Sequence, residues 1–135
     1  MAKETTGGMY PFFVYGTLRP GQPNAVLWDG CEERMEGAVL ENGRLYSLGH
    51  YPMLIEAEDG VVKGTLLTIQ HAKYDLVLAR FDWLEAGAYR RLLWRVLTEN
   101  GRLAEAWVYV GHPSYVVNRP LIADGDWCGY IGYGQ

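Results

Sequence analysis

Glu41-Asn42-Gly43-Arg44-Leu45 and Glu99-Asn100-Gly101-Arg102-Leu103 are one pentapeptide occurring twice in the chain. Each centres on Asn-Gly, the dipeptide that most readily takes the two positive φ angles of a tight β-hairpin. Apolar runs flank both copies: Ala38-Val39-Leu40 and Leu45-Tyr46 around the first, Leu92 to Leu97 and Trp107-Val108-Tyr109-Val110 around the second. Two hairpins are therefore predicted. A third is predicted at Asp59-Gly60, between Met53-Leu54-Ile55 and the stretch Val61 to Ile69. The residues around the two pentapeptides do not resemble each other, so shared turn chemistry explains the repeat better than internal duplication.

One segment keeps a different period. Tyr74, Val77, Leu78, Phe81 and Leu84 follow the i, i+3, i+4, i+7, i+10 spacing of an amphipathic helix, which is predicted to stop near Gly87, a natural residue for a left-handed C-terminal position. Before the hairpins, Pro11-Phe12-Phe13-Val14-Tyr15 reads as a short strand broken at Gly16, followed by a loop from Thr17 to Asn24. Beyond Val110 the chain is rich in Gly and Pro and reads as mostly irregular. One helix against a curled antiparallel or mixed sheet gives an α+β fold, closed into a small barrel.

The totals agree with one domain over residues 11–135 behind a flexible lead of residues 1–10. With 135 residues, 49% of them hydrophobic and 21% charged, the chain can build a core without metal or disulfide staples. Its net charge of −4 supplies no basic footprint for nucleic acid. No signal-peptide pattern and no membrane-length apolar run occurs, and the two cysteines, Cys31 and Cys128, are far apart. A cytoplasmic protein is expected. His50, His71 and His112 have no ligand spacing, so no metal site is expected. No nucleophile elbow, phosphate loop or dinucleotide fingerprint is present.

Two features carry chemistry. On a helical projection at about 100° per residue with Tyr74 at zero, Glu85 falls at about +20°, inside the apolar stripe. Burial and the negative end of the helix dipole would both raise its pKa, poising it for proton transfer near neutral pH. If the helix ends a residue early, Glu85 instead swings out to pair with Arg90 or Arg91. The second feature is Tyr15-Gly16-Thr17-Leu18-Arg19, where a Gly turn after a strand can expose successive N–H groups to a carboxylate or oxyanion. Thr17 would add a hydroxyl and Arg19 a charge. An ordinary strand-to-loop turn is the alternative.

These residues resemble the γ-glutamylcyclotransferase-like family, in its γ-glutamylamine cyclotransferase branch. Phe13-Val14-Tyr15-Gly16-Thr17-Leu18-Arg19-Pro20-Gly21 is similar to the family's opening signature, with Asn24 shortly after. Phe81-Asp82-Trp83-Leu84-Glu85-Ala86-Gly87-Ala88-Tyr89-Arg90-Arg91 is similar to its second, in which an acidic residue precedes a Glu followed by small residues and Tyr-x-Arg. Here Ala86 stands between Glu85 and Gly87, where the family often has Gly directly after its Glu. Tyr51-Pro52, Val62-Lys63-Gly64-Thr65 and Gly125-Asp126-Trp127 are lesser echoes. The resemblance implies a mixed barrel with flanking helices, no cofactor, and a small-molecule γ-glutamyl substrate. It implies that the Tyr15 to Leu18 loop holds the α-amino acid end of that substrate, that Glu85 is the acid–base catalyst, and that Tyr89 walls the cavity. The reaction implied is cyclisation of a γ-glutamyl amide to 5-oxoproline with release of an amine. A non-catalytic binding module on the same fold, or an enzyme removing a γ-glutamyl protecting group from a natural product, are alternatives within the same reading.

Overall fold

A computed structural model describes residues 9–132; the expected flexible lead lies almost wholly outside them. The strands are β1 (Phe12–Val14), β2 (Glu32–Ser47), β3 (Pro52–Ile69), β4 (Tyr89–Thr98), β5 (Leu103–Gly111) and β6 (Leu121–Ile122). The helices are α1 (Tyr74–Glu85), between β3 and β4, and a short α2 (Trp127–Ile131). The sheet runs β3-β1-β5-β4-β2-β6, and β2 pairs with β3 in turn, so the first five strands close on themselves. All pairings are antiparallel except β1 with β5. The architecture is the mixed barrel with helices that the sequence implied.

Alternation along β1 separates two cores. Phe13 and Tyr15 point into the barrel with Leu40, Leu54, Val62 and Val108, while Phe12 and Val14 point outward to meet Tyr74, Val77 and Phe81 of α1. Phe12 packs edge-on against Phe81 at 4.9 Å between ring centroids and stacks on Tyr74 at 5.6 Å. The helical stripe read from the sequence is the face that covers the barrel. No helix among the described residues is long and apolar enough to cross a membrane.

Only one of the three predicted hairpins forms where the sequence placed it. Asn100-Gly101 joins β4 to β5, with the Thr98 N–H donating to the Arg102 carbonyl at 2.8 Å; Gly101 alone takes positive φ, at 86°. Asn42-Gly43 and Asp59-Gly60 are not turns. They lie inside β2 and β3, which pair with each other over nearly their whole lengths. Register slips there from Glu41↔Val61 to Gly43↔Glu56, and Asn42 and Asp59 take positive φ of 67° and 68°. A bulge uses the same left-handed conformation as a turn, so the local chemistry was read correctly and its consequence was not. The break has a purpose in the sheet. Before it, β2 lies beside β4 through Ala38 and Val39; after it, β2 lies beside β6 through Leu45 and Tyr46. The actual β2–β3 turn is at Leu48 to Tyr51, where the Leu48 N–H donates to the Tyr51 carbonyl at 2.9 Å and Gly49 has φ 104°. The tail, read as irregular, contains both β6 and α2.

At the bulge the two backbones come so close that a Cβ on Gly60 would lie 2.0 Å from the Gly43 carbonyl oxygen. At Gly101 a Cβ would meet nothing within 4 Å. Gly60→Ala is therefore expected to cost about 3 kcal/mol of stability, against about 1–2 kcal/mol for Gly101→Ala, which carries only left-handed strain. Urea unfolding of both variants checks this, and a Gly60→Ala no worse than Gly101→Ala would refute the close approach.

Candidate active site

The last turn of α1 carries two carboxylates with opposite surroundings. Asp82 Oδ1 accepts from Arg91 Nε at 2.9 Å and from the Tyr109 hydroxyl at 2.6 Å, while Oδ2 accepts from Arg91 Nη2 at 3.2 Å. The Arg91 guanidinium also lies over the Trp107 ring, 4.4 Å from its centroid. Strands β4 and β5 thus grip the helix end through one side chain. Glu85, the final helical residue, is in no ion pair among the described residues, so the surface pair with Arg90 or Arg91 is not what forms. Ala86 leaves the helix in an extended conformation and Gly87 takes φ 91°, supplying the expected left-handed residue after the cap.

Glu85 is half-buried and lines a cavity of about 630 Å³ at the barrel mouth. Burial raises its pKa from the ordinary 4.5 to about 7, because a partly dehydrated carboxylate is better accommodated neutral. The helix C-terminus acts in the same sense.

The loop after β1 forms the facing wall. The carbonyl of Gly16 accepts from the Arg19 N–H at 3.0 Å, that of Thr17 from the Asn24 N–H at 2.9 Å, and that of Leu18 from Trp28 Nε1 at 2.7 Å. Asn24 Nδ2 also donates to the Thr17 hydroxyl at 2.9 Å. With their carbonyls tied back to protein donors, the N–H groups of Gly16, Thr17 and Leu18 find no acceptor among the described residues, which is the arrangement that receives an anion. A Cβ on Gly16 would come within 2.6 Å of the Pro52 ring, so only glycine lets this loop press against the start of β3.

Three tyrosines complete the walls, each with its hydroxyl committed. Tyr15 donates to the Tyr109 carbonyl at 2.6 Å, Tyr89 to the Pro52 carbonyl at 2.9 Å, and Tyr109 to Asp82. Burial above all pushes every one of these phenols up, and the nearby Glu85 charge adds to the effect. They are fixed donors and do not titrate near neutral pH.

Six of the seven residues singled out from the sequence, Tyr15, Gly16, Thr17, Leu18, Glu85 and Tyr89, line this one cavity. Arg19 does not. Its guanidinium pairs with Asp126 at 3.1 Å and ties the loop to the start of α2. The sequence reading missed His50 and Tyr51 on the β2–β3 turn, Pro52, and Tyr109; the Tyr51-Pro52 echo was the available signal. No group of His, Cys, Asp and Glu among the described residues is placed to hold a metal ion, and both cysteines are free thiols.

Residues 12–129 match the family model described as γ-glutamyl cyclotransferase, AIG2-like. The chain belongs to the γ-glutamylcyclotransferase family. A relative from Escherichia coli K12, the γ-glutamylcyclotransferase family protein YtfP, is 37% identical over 117 residues, covering 85% of this chain and 93% of that one. The solution structure of the E. coli ytfP protein superposes with a TM-score of 0.62 at 35% identity, over 90% of this chain and 98% of that one. A bovine γ-glutamylaminecyclotransferase is 41% identical over 59 residues, 43% of this chain and 33% of that protein. Family membership supports a cyclotransferase enzyme acting on a small molecule.

A raised Glu85 pKa has a consequence for stability. The folded state holds the proton that the unfolded chain releases near pH 4.5, so stability falls as pH rises from there to about 7. Glu85→Gln removes that loss and is expected to be more stable than the wild type by about 1–3 kcal/mol at pH 8. The difference should vanish at pH 4; denaturant titrations at the two pH values measure it.

Proposed function

We propose that this enzyme converts a γ-glutamyl amide to 5-oxoproline and a free amine, with Glu85 as the single general acid–base. What carries the reading is the placement of Glu85: a carboxyl with a pKa raised to about 7, free of cationic partners among the described residues, in the same cavity as a loop of unpaired N–H groups. The amides of Gly16, Thr17 and Leu18, with Tyr15 and Tyr89 as walls, would bind the α-amino acid end of the γ-glutamyl group.

The chemistry then needs little else. Glu85, ionised, takes a proton from the α-ammonium. The freed α-nitrogen attacks the γ-carbonyl carbon, a C–N bond forms and a five-membered ring closes. The resulting oxyanion is held by main-chain donors. As the bond to the outgoing nitrogen breaks, Glu85 gives that proton to it and, ionised again, takes the surplus proton from the ring nitrogen, which then passes to the released amine or to solvent; one carboxyl serves as base and as acid. The substrate brings its own nucleophile, and correct orientation of such an internal attack is worth roughly 7–11 kcal/mol of the barrier. No cofactor is required by this scheme. A raised pKa suits both halves of the cycle, since a group titrating near ambient pH both accepts and donates readily.

Glu85→Gln is expected to fold and to form 5-oxoproline at least about a thousandfold more slowly, near the upper range for loss of a proton-transfer group. In the wild type, kcat/KM should fall about tenfold per pH unit below pH 7 as Glu85 becomes protonated in the free enzyme. Chromatographic detection of 5-oxoproline from γ-glutamyl amides measures both; unimpaired turnover by the variant would exclude the role given to Glu85.

A further inference from the structure

Alternation along β4 sends Leu92, Trp94 and Val96 toward the barrel core, and along β5 it sends Ala104 and Ala106 the same way. Leu93, Arg95 and Leu97 therefore point outward, as do Leu103 and Glu105 on the neighbouring strand. Helix α1 covers β1 and reaches β4 only as far as Arg91. Beyond it the outer face is bare: Leu93 is 40%, Leu97 39% and Leu103 60% exposed.

The ladder sets these residues in rows. Arg95 stands opposite Glu105 and Leu97 opposite Leu103, while Val39 of β2 lies beside Leu97 on its other side. Arg95 Nε is 3.6 Å from Glu105 Oε2, and both side chains are well exposed. Single exposed leucines are ordinary on a surface, but three grouped around an opposite-charge pair form a contiguous patch. The first eight residues of the chain, Met1 to Gly8, are mostly polar and offer Met1 alone as a large apolar side chain.

The charges say what fits. A wholly apolar partner would strand Arg95 and Glu105, and a partner of one sign would repel one of them. A second copy of the chain satisfies both. With a two-fold axis running parallel to the strands between β4 and β5, β4 of each copy lies across β5 of the other. Arg95 of each then meets Glu105 of the other, and Leu97 of each meets Leu103 of the other. The four charges form a square in which every neighbour is opposite in sign. We infer that this face of β4 and β5 is where two copies of the chain associate. The row of Leu97 and Leu103 is at the opposite end of these strands from Tyr89, so the pairing leaves the cavity mouth free.

Sedimentation velocity on the full chain, from about 1 µM to about 300 µM, is expected to show a reversible dimer with a Kd on the order of 10–100 µM, as suits a small contact. Arg95→Glu and Glu105→Arg, each alone, set like charges against one another and should weaken association about tenfold or more. Mixed in equal amounts the two variants should associate again, because each supplies the sign that the other lacks. Leu103→Asp should abolish the dimer while leaving the circular dichroism of the fold unchanged. A wild type that stays monomeric over this range would overturn the inference. So would a mixture that associates no better than its components, or a Leu103→Asp variant that still dimerises.

Discussion

Arg91 chooses Asp82, and the chemistry of the cavity depends on that choice. The two carboxylates stand about one helical turn apart on α1, and the guanidinium on β4 pairs with the first of them. Asp82 takes it in a two-pronged bond, reinforced by the Tyr109 hydroxyl and by the Trp107 ring beneath the guanidinium. Had the cation gone to Glu85, the carboxyl would have been held ionised and acidic. Instead it is left without a cation, and burial drives it the other way. Asp82 and Arg91 are both partly exposed, so the pair adds little stability in itself. Its weight is positional: it fixes the end of α1 against two strands, and so fixes where the next turn presents Glu85.

The same economy governs the rest of the mouth. Three segments distant in sequence must meet there: the loop after β1, the turn between β2 and β3, and the end of α1. Each contact is made by a group with little freedom. Gly16 touches the Pro52 ring because it has no Cβ to keep them apart, and Tyr89 reaches the Pro52 carbonyl from the start of β4. Tyr15 spans from the loop to the β5 backbone. Rigid aromatic arms ending in a hydroxyl lose little entropy when they form such a bond, which makes tyrosine well suited to hold a cavity open and shaped.

How much of this the sequence disclosed follows from the range of each interaction. The helix and the inward aim of Glu85 were legible because a 3.6-residue period is written in neighbouring residues, and because Gly87 marks the stop. The β1 strand and its Gly turn were legible for the same reason. Asn42-Gly43 and Asp59-Gly60 misled because positive φ is a local preference that turns and bulges share. Which one forms is decided by a partner strand far along the chain; here the two irregularities face each other, and Gly60 lets Gly43 come close. Arg19 belongs to the loop in sequence, but its side chain is long enough to find Asp126, 107 residues away. His50 had no local signature of a site and Tyr51 only the faint Tyr51-Pro52 echo, since it is barrel closure that brings their turn to the mouth.

A cavity with several ionisable groups would leave the route of a proton open; this one narrows it. The hydroxyls of Tyr15, Tyr89 and Tyr109 are spent on a carbonyl, a carbonyl and a carboxylate, and all three are pushed up by burial beyond physiological titration. Asp82 is neutralised by its guanidinium. Burial, by contrast, brings Glu85 to about 7. On the cyclisation we propose, this carboxyl carries the proton that leaves a bound ammonium and later reaches a departing nitrogen. The geometry that leaves the carboxyl without a cationic partner lets burial raise its pKa, and the proposed proton relay rests on that.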